Sequence, residues 1–172
     1  MIFVTVGTHE QQFNRLIKKI DDLKSKNIIK EEVFMQIGYS NYLPVNCKYK
    51  KLLTYEEMTK YIKNANIIIT HGGPGSIFLP LQYNKIPIVV PRNPVYKEHI
   101  DEHQIKFVEK MESQNRIIAV YDTEKIEEKI VEYDDSISKI SILNNSNVDI
   151  FIKKIEQICI GLLSGEKKIT GW

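Results

Sequence analysis

The sequence predicts an α/β protein built on a doubly wound parallel sheet. Short β-branched runs alternate along the chain with segments whose apolar residues recur at helical spacing. One run, Ile67-Ile68-Ile69, is apolar throughout, which is typical of a strand covered on both faces. Parallel neighbours in a sheet need crossover helices, so this alternation places helices on both sides of a single sheet. The 172 residues, 42% of them apolar, are expected to form one domain with one core.

The first half of the chain predicts four strands and two helices. Residues 1–6 form a β-branched run that stops at Gly7-Thr8, and apolar residues at helical spacing follow over residues 10–26. Thr54 and Glu57 have the spacing of a capping box, which predicts that a helix begins after Thr54. The strands predicted in this half are residues 1–6, 33–37, 48–53 and 65–70.

The second half continues the same alternation. A glycine-rich stretch, His71-Gly-Gly-Pro-Gly-Ser76, separates the last of those strands from the next predicted helix. The stretch 134–147 is rich in Ser, Asn and Asp, which predicts a loop. One unit over residues 1–165 and a frayed tail over residues 166–172 complete the predicted organisation. Further strands are predicted over 86–90 and 116–120, and further helices over 77–83, 98–112, 123–133 and 147–163.

Composition and charge exclude several classes of protein. Lys and Arg number 24 against 22 Asp and Glu, too balanced for a protein that wraps nucleic acid, so no nucleic-acid partner is expected. Cys47 and Cys159 lack the CxxC spacing of a zinc knuckle or redox pair. The sequence shows neither a signal peptide nor a run of about 18 apolar residues, so a cytoplasmic location is expected.

The strongest chemical signal is the glycine-rich stretch between a buried strand and a helix. Gly72, Gly73 and Gly75 would let backbone N–H groups approach a ligand closely. The helix N-terminus at Ser76 adds the positive end of a dipole, so the stretch suits a diphosphate. The alternative is a plain strand-to-helix turn, in which Gly and Pro serve geometry alone. The spacing is neither GxGxxG nor GxxxxGK[ST], so a dinucleotide dehydrogenase and a P-loop ATPase lose support.

A second signal, Gly7-Thr8-His9-Glu10, follows the first predicted strand. Its place at the carboxyl edge of the sheet puts it beside the glycine-rich stretch. Thr8 could hydrogen-bond a phosphate, and His9 or Glu10 could remove a proton from an acceptor hydroxyl. The alternative is that Thr8 is an N-cap and Glu10 a favourable charge in the first helical turn.

A third signal is the polar stretch after the strand that ends near Pro91. Short polar side chains of this kind suit a ligand with many hydroxyl groups, and a solvated helix face is the alternative. His99 and His103 lie four residues apart but lack the HExxH pattern, and no Asp-x-Asp motif is present. No metal and no cofactor are therefore expected. The candidate residues here are Glu98, Asp101, Glu102, His103 and Gln104.

These motifs, in this order and each at a strand end, resemble the glycosyltransferase family 28 C-terminal domain. The matching segments are VTVGTHEQQFNRLI, THGGPGSI and EHIDEHQ, and they cover most of the chain to about Phe107. The whole chain is similar to the small catalytic subunits of bacterial capsular and exopolysaccharide glycosyltransferases. Those subunits are in turn similar to the catalytic subunit of the eukaryotic two-subunit UDP-GlcNAc transferase. The fold implied is Rossmann-like, a single half of a GT-B fold.

The resemblance implies an inverting, metal-independent transferase that uses a UDP-sugar, which is substrate rather than cofactor. Gly7 and Thr8 would then face the diphosphate, and the stretch from His71 to Ser76 would form the phosphate-binding turn. The segment from Glu98 to Gln104 would bind the sugar hydroxyls, with Gln104 the best candidate. His9 would be the base or a group that organises the reaction centre. Residues 77–80 lack the acidic residue that relatives often use to hold the ribose.

The resemblance also implies partners. A membrane-anchored subunit would supply the other GT-B half and a lipid-linked sugar acceptor, and it would recruit this chain to the inner face of the membrane. The predicted helix over residues 147–163 offers an apolar face for docking, although a stripe at helical spacing is usually core.

Two other functions fit the sequence less well than sugar transfer. A non-catalytic activator subunit would retain the fold, but polar motifs at three strand ends argue for chemistry. An NAD enzyme or epimerase lacks both the dinucleotide fingerprint and a Tyr-x-x-x-Lys pair.

Overall fold

The computed structural model describes residues 1–140. The chain divides into two units, Met1–Ser136 and Ile137–Trp172. In the second unit, only residues 137–140 are described, and they are helical. No helix in the described part of the chain is long and apolar enough to cross a membrane.

The first unit is built on a six-stranded sheet in which every pair of neighbouring strands is parallel. The strand order is β3-β2-β1-β4-β5-β6, so the order reverses between β1 and β4. This arrangement confirms the predicted doubly wound α/β class. In such sheets, ligands bind beyond the carboxyl ends of the strands where the order reverses. The strands are β1 Ile2–Thr5, β2 Val33–Gln36, β3 Lys48–Lys50, β4 Ile67–His71, β5 Ile88–Val90 and β6 Ile118–Ala119.

Helices connect these strands, except that a loop over residues 37–47 joins β2 to β3. The α2 helix begins with the predicted capping box, because Thr54 Oγ1 accepts the Glu57 N–H while the Glu57 carboxylate accepts the Thr54 N–H. The helices are α1 Asn14–Ser25, α2 Tyr55–Asn64, α3 Pro74–Gln82, α4 His103–Ser113 and α5 Ile126–Val131. Two 3₁₀ turns cover Pro94–Tyr96 and Thr123–Lys125.

Three predicted helix starts were wrong, and each error falls at the carboxyl edge of the sheet. The helix predicted from residue 10 begins at Asn14, because the Phe13 N–H donates to Ser40 Oγ at 2.9 Å instead of starting a helical turn. The helix predicted from residue 98 begins at His103. The helix predicted from residue 77 begins earlier, at Pro74, where the fixed proline φ suits the first helical position.

The prediction for residues 123–133 was right in kind but not in detail, since a 3₁₀ turn precedes α5. The predicted loop over 134–147 was wrong over its described part, because residues 134–136 and 137–140 are helical. The predicted helix over 147–163 and the tail over 166–172 lie outside the described residues.

The strands β1, β4 and β5 are buried on both faces of the sheet, whereas the edge strand β3 is exposed. Phe3 and Val4 point to opposite faces of β1, and both are fully buried. One apolar cluster joins Ile77 of α3 to Val108 of α4, and another joins Phe3 to Ile62 of α2. Burial of large apolar side chains on both faces holds the strand ends in fixed positions, which is what a site at the sheet edge needs.

Asp21 on α1 fastens the loop that follows β2. Its carboxylate is buried and accepts hydrogen bonds from the Tyr42 hydroxyl at 2.8 Å, from Val45 N at 3.0 Å and from Asn46 N at 2.8 Å. Burial favours the neutral acid, but these hydrogen bonds outweigh it and lower the pKa of Asp21. The carboxylate therefore stays ionised and holds the loop at neutral pH.

We expect Asp21→Ala to lower the free energy of unfolding by about 2 kcal/mol, because it leaves buried N–H and O–H donors without an acceptor. The matched control is Asp22→Ala, which removes an exposed carboxylate paired with Lys26 and should cost less than about 0.5 kcal/mol. Urea denaturation of both variants measures the difference. Equal losses of unfolding free energy in the two variants would show that Asp21 does not hold the loop after β2.

Candidate functional site

The three predicted motifs meet at one edge of the sheet. They follow β1, β4 and β5, which are adjacent strands, and they face one another across the point where the strand order reverses. A Cβ atom added to Gly7 would lie 2.0 Å from His71 Nε2, so the first motif touches the second. The rings of His9 and His99 have centroids 4.8 Å apart, so the first motif also touches the third.

Arg92, which sequence reasoning missed, ties these loops together. Its side chain is fully buried directly after β5. One guanidinium nitrogen donates to the carbonyls of Gln11 at 2.9 Å, Gln12 at 3.1 Å and Glu98 at 3.0 Å. The other donates to the carbonyl of Val6 at 2.8 Å. A single side chain therefore fixes the loop after β1 to the loop after β5.

The charge on Arg92 is supported from two sides. The guanidinium carbon lies 5.0 Å from the centroid of the Phe13 ring, a cation–π contact. Burial lowers the pKa of Arg92 to about 10, and the Glu98 carboxylate opposes that shift. Arg92 is therefore protonated at neutral pH. Arginine placed straight after a buried strand, between Pro91 and Asn93, is the sequence signal that could have found it.

Glu98 has a structural role, because buried ion-pair and hydrogen-bond contacts hold its carboxylate. Its side chain is 1% exposed, and it pairs with the guanidinium of Arg15 at 3.0 Å. The same carboxylate accepts the N–H of Asn93 at 3.0 Å. These contacts fix the segment that precedes α4, and they explain why that segment is a loop rather than the predicted helix.

His71 is the last residue of β4, and its buried ring has a defined tautomer. The Gly73 N–H donates to His71 Nδ1 at 2.7 Å, so the ring proton lies on Nε2. Nε2 lies 3.2 Å from Ser76 Oγ and therefore donates to that hydroxyl. Burial, followed by the charge of Arg92, lowers the pKa of His71 to about 3. The imidazole is thus a neutral, fixed donor to Ser76.

The four glycines predicted to admit a ligand do different things. A Cβ atom on Gly7 or Gly73 would lie 2.0 or 2.1 Å from the His71 ring, so both glycines make room for that ring. Gly7 also has a φ of +73°, which favours glycine. A Cβ atom on Gly72 would lie 2.9 Å from Val108, so Gly72 lets α4 approach the turn. Only Gly75 of these four faces open space, with nothing within 4 Å of an added Cβ atom.

A second polar cluster surrounds Asp101. Its carboxylate lies 3.0 Å from His99 Nδ1 through one oxygen and 2.8 Å from His103 Nδ1 through the other. The first oxygen also accepts the backbone N–H of His103, the first residue of α4, at 3.0 Å. This backbone hydrogen bond lowers the pKa of Asp101, and His103 and His99 lower it further. His99 is 14% exposed and His103 is 84% exposed.

The remaining predicted residues lie around the same edge. Thr8, Glu10 and Glu102 are exposed. Gln104 is buried in the first turn of α4, and its amide oxygen accepts the Arg92 N–H at 3.2 Å. The backbone N–H of Gln11 donates to His9 Nδ1 at 3.2 Å. Burial, together with Arg92 and His99, lowers the pKa of His9.

No group of three or more His, Cys, Asp or Glu side chains within residues 1–140 is arranged to hold a metal ion. The Cys47 thiol is buried, and burial raises its pKa to about 12, so it is protonated at neutral pH.

A parallel α/β sheet with a glycine-rich helix start and a polar cluster at its switch point defines a Rossmann-like domain with its site at the carboxyl edge. The chain belongs to the glycosyltransferase family 28 C-terminal domain family, whose sequence profile matches residues 1–157. The resemblance inferred from the motifs is thereby confirmed. No curated protein matches the sequence at a significant level.

Two solved structures resemble the chain in fold. One is the glycotransferase of kitacinnamycin, with a TM-score of 0.59 and 16% identity over 84% of this chain and 38% of that one. The other is the glycosyltransferase SnogD from Streptomyces nogalater, with a TM-score of 0.48 and 19% identity over 69% of this chain and 30% of that one. The chain therefore spans less than half the length of either structure. The fold corresponds to one half of a GT-B architecture.

We expect Arg92→Lys to lower the free energy of unfolding by about 3 kcal/mol, because a lysine ammonium cannot reach carbonyls on both loops and leaves them buried without donors. Arg116→Lys is the matched control, since Arg116 is exposed and its replacement should change stability by less than about 0.5 kcal/mol. Denaturant unfolding monitored by circular dichroism gives both values. A loss below about 1 kcal/mol for Arg92→Lys would contradict the bridging role.

His71 should make the protein less stable in acid. In the unfolded chain the imidazole takes up a proton near pH 6.5, whereas in the folded protein it does so only near pH 3. Between these values the unfolded state binds more protons, so stability falls as pH falls, by about 1.4 kcal/mol per pH unit from this group. The free energy of unfolding of His71→Gln should not show this fall between pH 6.5 and pH 3. The matched control, His103→Gln at an exposed position, should show the same fall as the wild type. An NMR titration that finds His71 protonated at pH 5 in the folded wild type would contradict the assignment.

Proposed function

We propose that this chain binds the donor nucleotide sugar of an inverting, metal-independent glycosyltransferase. The donor is a UDP-hexose, with UDP-galactose favoured and UDP-N-acetylglucosamine next. The acceptor is a polyprenyl-diphosphate-linked sugar, in capsular or exopolysaccharide synthesis. Membership of the family supports the transferase class, and the resemblance of the motifs to capsular enzymes supports the finer assignments.

The observation that carries the proposal is the asymmetry among the glycines. Neighbouring protein atoms occupy the space that a side chain would take at Gly7, Gly72 and Gly73. At Gly75, in the first turn of α3, that space is open. A residue without a side chain, exposed at a helix N-terminus, leaves backbone N–H groups and the positive end of the helix dipole accessible. A diphosphate is the group that such an opening suits best.

Ser76 adds a directed donor to this opening. Because His71 donates its Nε2 proton to Ser76 Oγ, an acceptor position of the hydroxyl is taken and its own proton is left to point elsewhere. We expect that proton to be donated to a phosphate oxygen. The neutral His71 ring therefore orients Ser76 without adding a charge of its own.

The N-terminal region of α4 would hold the sugar. Asp101, Glu102 and His103 place carboxylate and imidazole groups beside the opening, and hydroxyl groups bind such side chains through short hydrogen bonds. Gln104 is positioned by Arg92 through its amide oxygen, which leaves the amide nitrogen as the group to donate to a sugar. Thr8 and Glu10 lie exposed after β1, where Thr8 would meet the diphosphate.

The acceptor site belongs to a second component in this proposal. The similarity to two-subunit transferases supports a membrane-anchored partner that binds the lipid-linked acceptor and brings this cytoplasmic chain to the inner face of the membrane. His9 and Glu10 would face that component, with His9 as a group that organises the reaction centre.

A calorimetric titration with UDP-galactose, UDP-N-acetylglucosamine, UDP-glucose and UDP tests the proposal. Runs with Mg²⁺ and with EDTA should give the same affinity, with one UDP-sugar preferred over the others. Absence of binding, both alone and with the partner subunit, would overturn the donor-site assignment. Binding without transfer in the presence of the partner would favour an activator subunit.

Gly75→Leu should weaken UDP binding by at least about 100-fold in Kd. The fold should stay intact, because a Cβ atom added at Gly75 has no protein atom within 4 Å. The matched control is Gln82→Leu, which adds an apolar side chain at the exposed far end of the same helix and should leave Kd unchanged. Both variants should unfold within about 0.5 kcal/mol of the wild type. Unchanged UDP affinity in Gly75→Leu would remove the phosphate assignment.

A further inference from the structure

The hydrogen bonds in the site assign different proton positions to His9 and His99, whose rings are in contact. His9 Nδ1 accepts the backbone N–H of Gln11 at 3.2 Å, so the neutral ring carries its proton on Nε2. In that form His9 has no lone pair left to take a proton from a hydroxyl group. It can act only as a hydrogen-bond donor, through Nε2.

His99 is held the opposite way. Its Nδ1 lies 3.0 Å from the Asp101 carboxylate and 3.2 Å from the Asp101 carbonyl oxygen, two acceptors. The Asp101 N–H also lies 3.3 Å from this nitrogen, but an ionised carboxylate is the stronger and closer partner. The ring proton therefore lies on Nδ1, and the Nε2 lone pair is free of this contact.

We infer that His99, oriented by Asp101, is the general base of the transfer reaction, an inference that rests on the proposed transferase function. The acceptor hydroxyl oxygen attacks the anomeric carbon of the donor, and its proton moves to His99 Nε2. The bond from that carbon to the diphosphate breaks, and the diphosphate leaves with the electron pair. The Asp101 carboxylate stabilises the imidazolium until solvent removes the proton. Asp101 is the positioning residue, and His9 supports the ring through a tilted ring–ring contact and donates from Nε2.

The charges around His99 suit this role. His9 and His71 face it from the ends of β1 and β4, and both stay neutral because their pKa values are lowered. Arg92 lies behind them after β5 and is positive. Asp101 is the facing carboxylate, and His103 shares it from the first turn of α4. The Asp101 carboxylate can therefore stabilise the positive charge that the His99 ring gains with the proton.

The first test measures the histidine tautomers and does not require enzymatic turnover. In ¹⁵N NMR spectra of the imidazole rings of the full chain at pH 8, His99 should show a proton on Nδ1, and His9 and His71 should show protons on Nε2. Asp101→Asn should weaken the Nδ1 preference of His99 and of His103, which pairs with the same carboxylate, and leave His9 and His71 unchanged. A proton on Nε2 of His99 in the wild type would overturn the inference.

The second test measures turnover as UDP release from the preferred donor, with the partner subunit and its acceptor membranes present. His99→Asn keeps a donor for Asp101 but has no atom at the Nε2 position, and His99→Gln places an amide there that can accept a hydrogen bond but not a proton. Both should lower kcat by about 100-fold or more while donor Kd stays within about threefold. Rescue of kcat by Gln would show sugar binding rather than base catalysis and would overturn the inference.

The pH profile separates positioning from structure. Asp101→Asn should lower the plateau of kcat and move its acid limb to lower pH, since the imidazolium loses its carboxylate. Asp22→Asn is the matched control, an exposed carboxylate on α1 paired with Lys26, and its profile should match the wild type. An unmoved acid limb in Asp101→Asn would overturn the role of Asp101. Failure of the wild type to bind any donor would remove the transferase proposal and this inference together, whereas binding with normal turnover in His99→Asn would remove only the inference.

Discussion

The candidate site depends on a buried positive charge. Arg92 spans the loops after β1 and β5 through hydrogen bonds to four backbone carbonyls. Carbonyl oxygens supply partial charge only, and Arg92 Nε is buried without a partner among residues 1–140. The nearest full countercharge is Glu98, which Arg15 already holds. Desolvation of the guanidinium is therefore offset by several partial interactions, and the loops cannot separate without exposing all of them. Those loops carry His9 and His99, so the contact between the two rings depends on the arginine.

The sequence was sufficient for the architecture because its signals are local. Apolar runs, the Thr54 capping box and the strand–helix alternation gave the class and nearly every element of the first unit. The helix boundaries at residues 10 and 98 failed because long-range contacts decide them. The Phe13 N–H donates to Ser40, 27 residues away, and the Glu98 carboxylate pairs with Arg15, 83 residues away. No local pattern contains such partners.

The candidate residues could be placed at one edge from the sequence, but their individual roles could not. The sequence does not distinguish Gly72, Gly73 and Gly75. In the structure, other protein atoms occupy the side-chain space at Gly72 and Gly73, and only Gly75 leaves it open. Glu98 and Asp101 are both acidic residues of one motif, yet one is locked to Arg15 and the other shares two histidines. Histidine tautomers depend on which backbone N–H reaches which ring nitrogen, and only three-dimensional contacts determine that.

The packing of the His71 ring between Gly7 and Gly73 has a consequence for the thermodynamics of ligand binding. A ring confined on both faces by backbone, with both nitrogens engaged, has lost its rotamer freedom during folding. The Ser76 hydroxyl that it orients is set before any ligand arrives. An incoming anion would meet donors that need no ordering, so the entropy of fixing them does not oppose association. Affinity in such a site is limited by the ligand's own loss of freedom and hydration, and the free and bound domains should differ little in this turn.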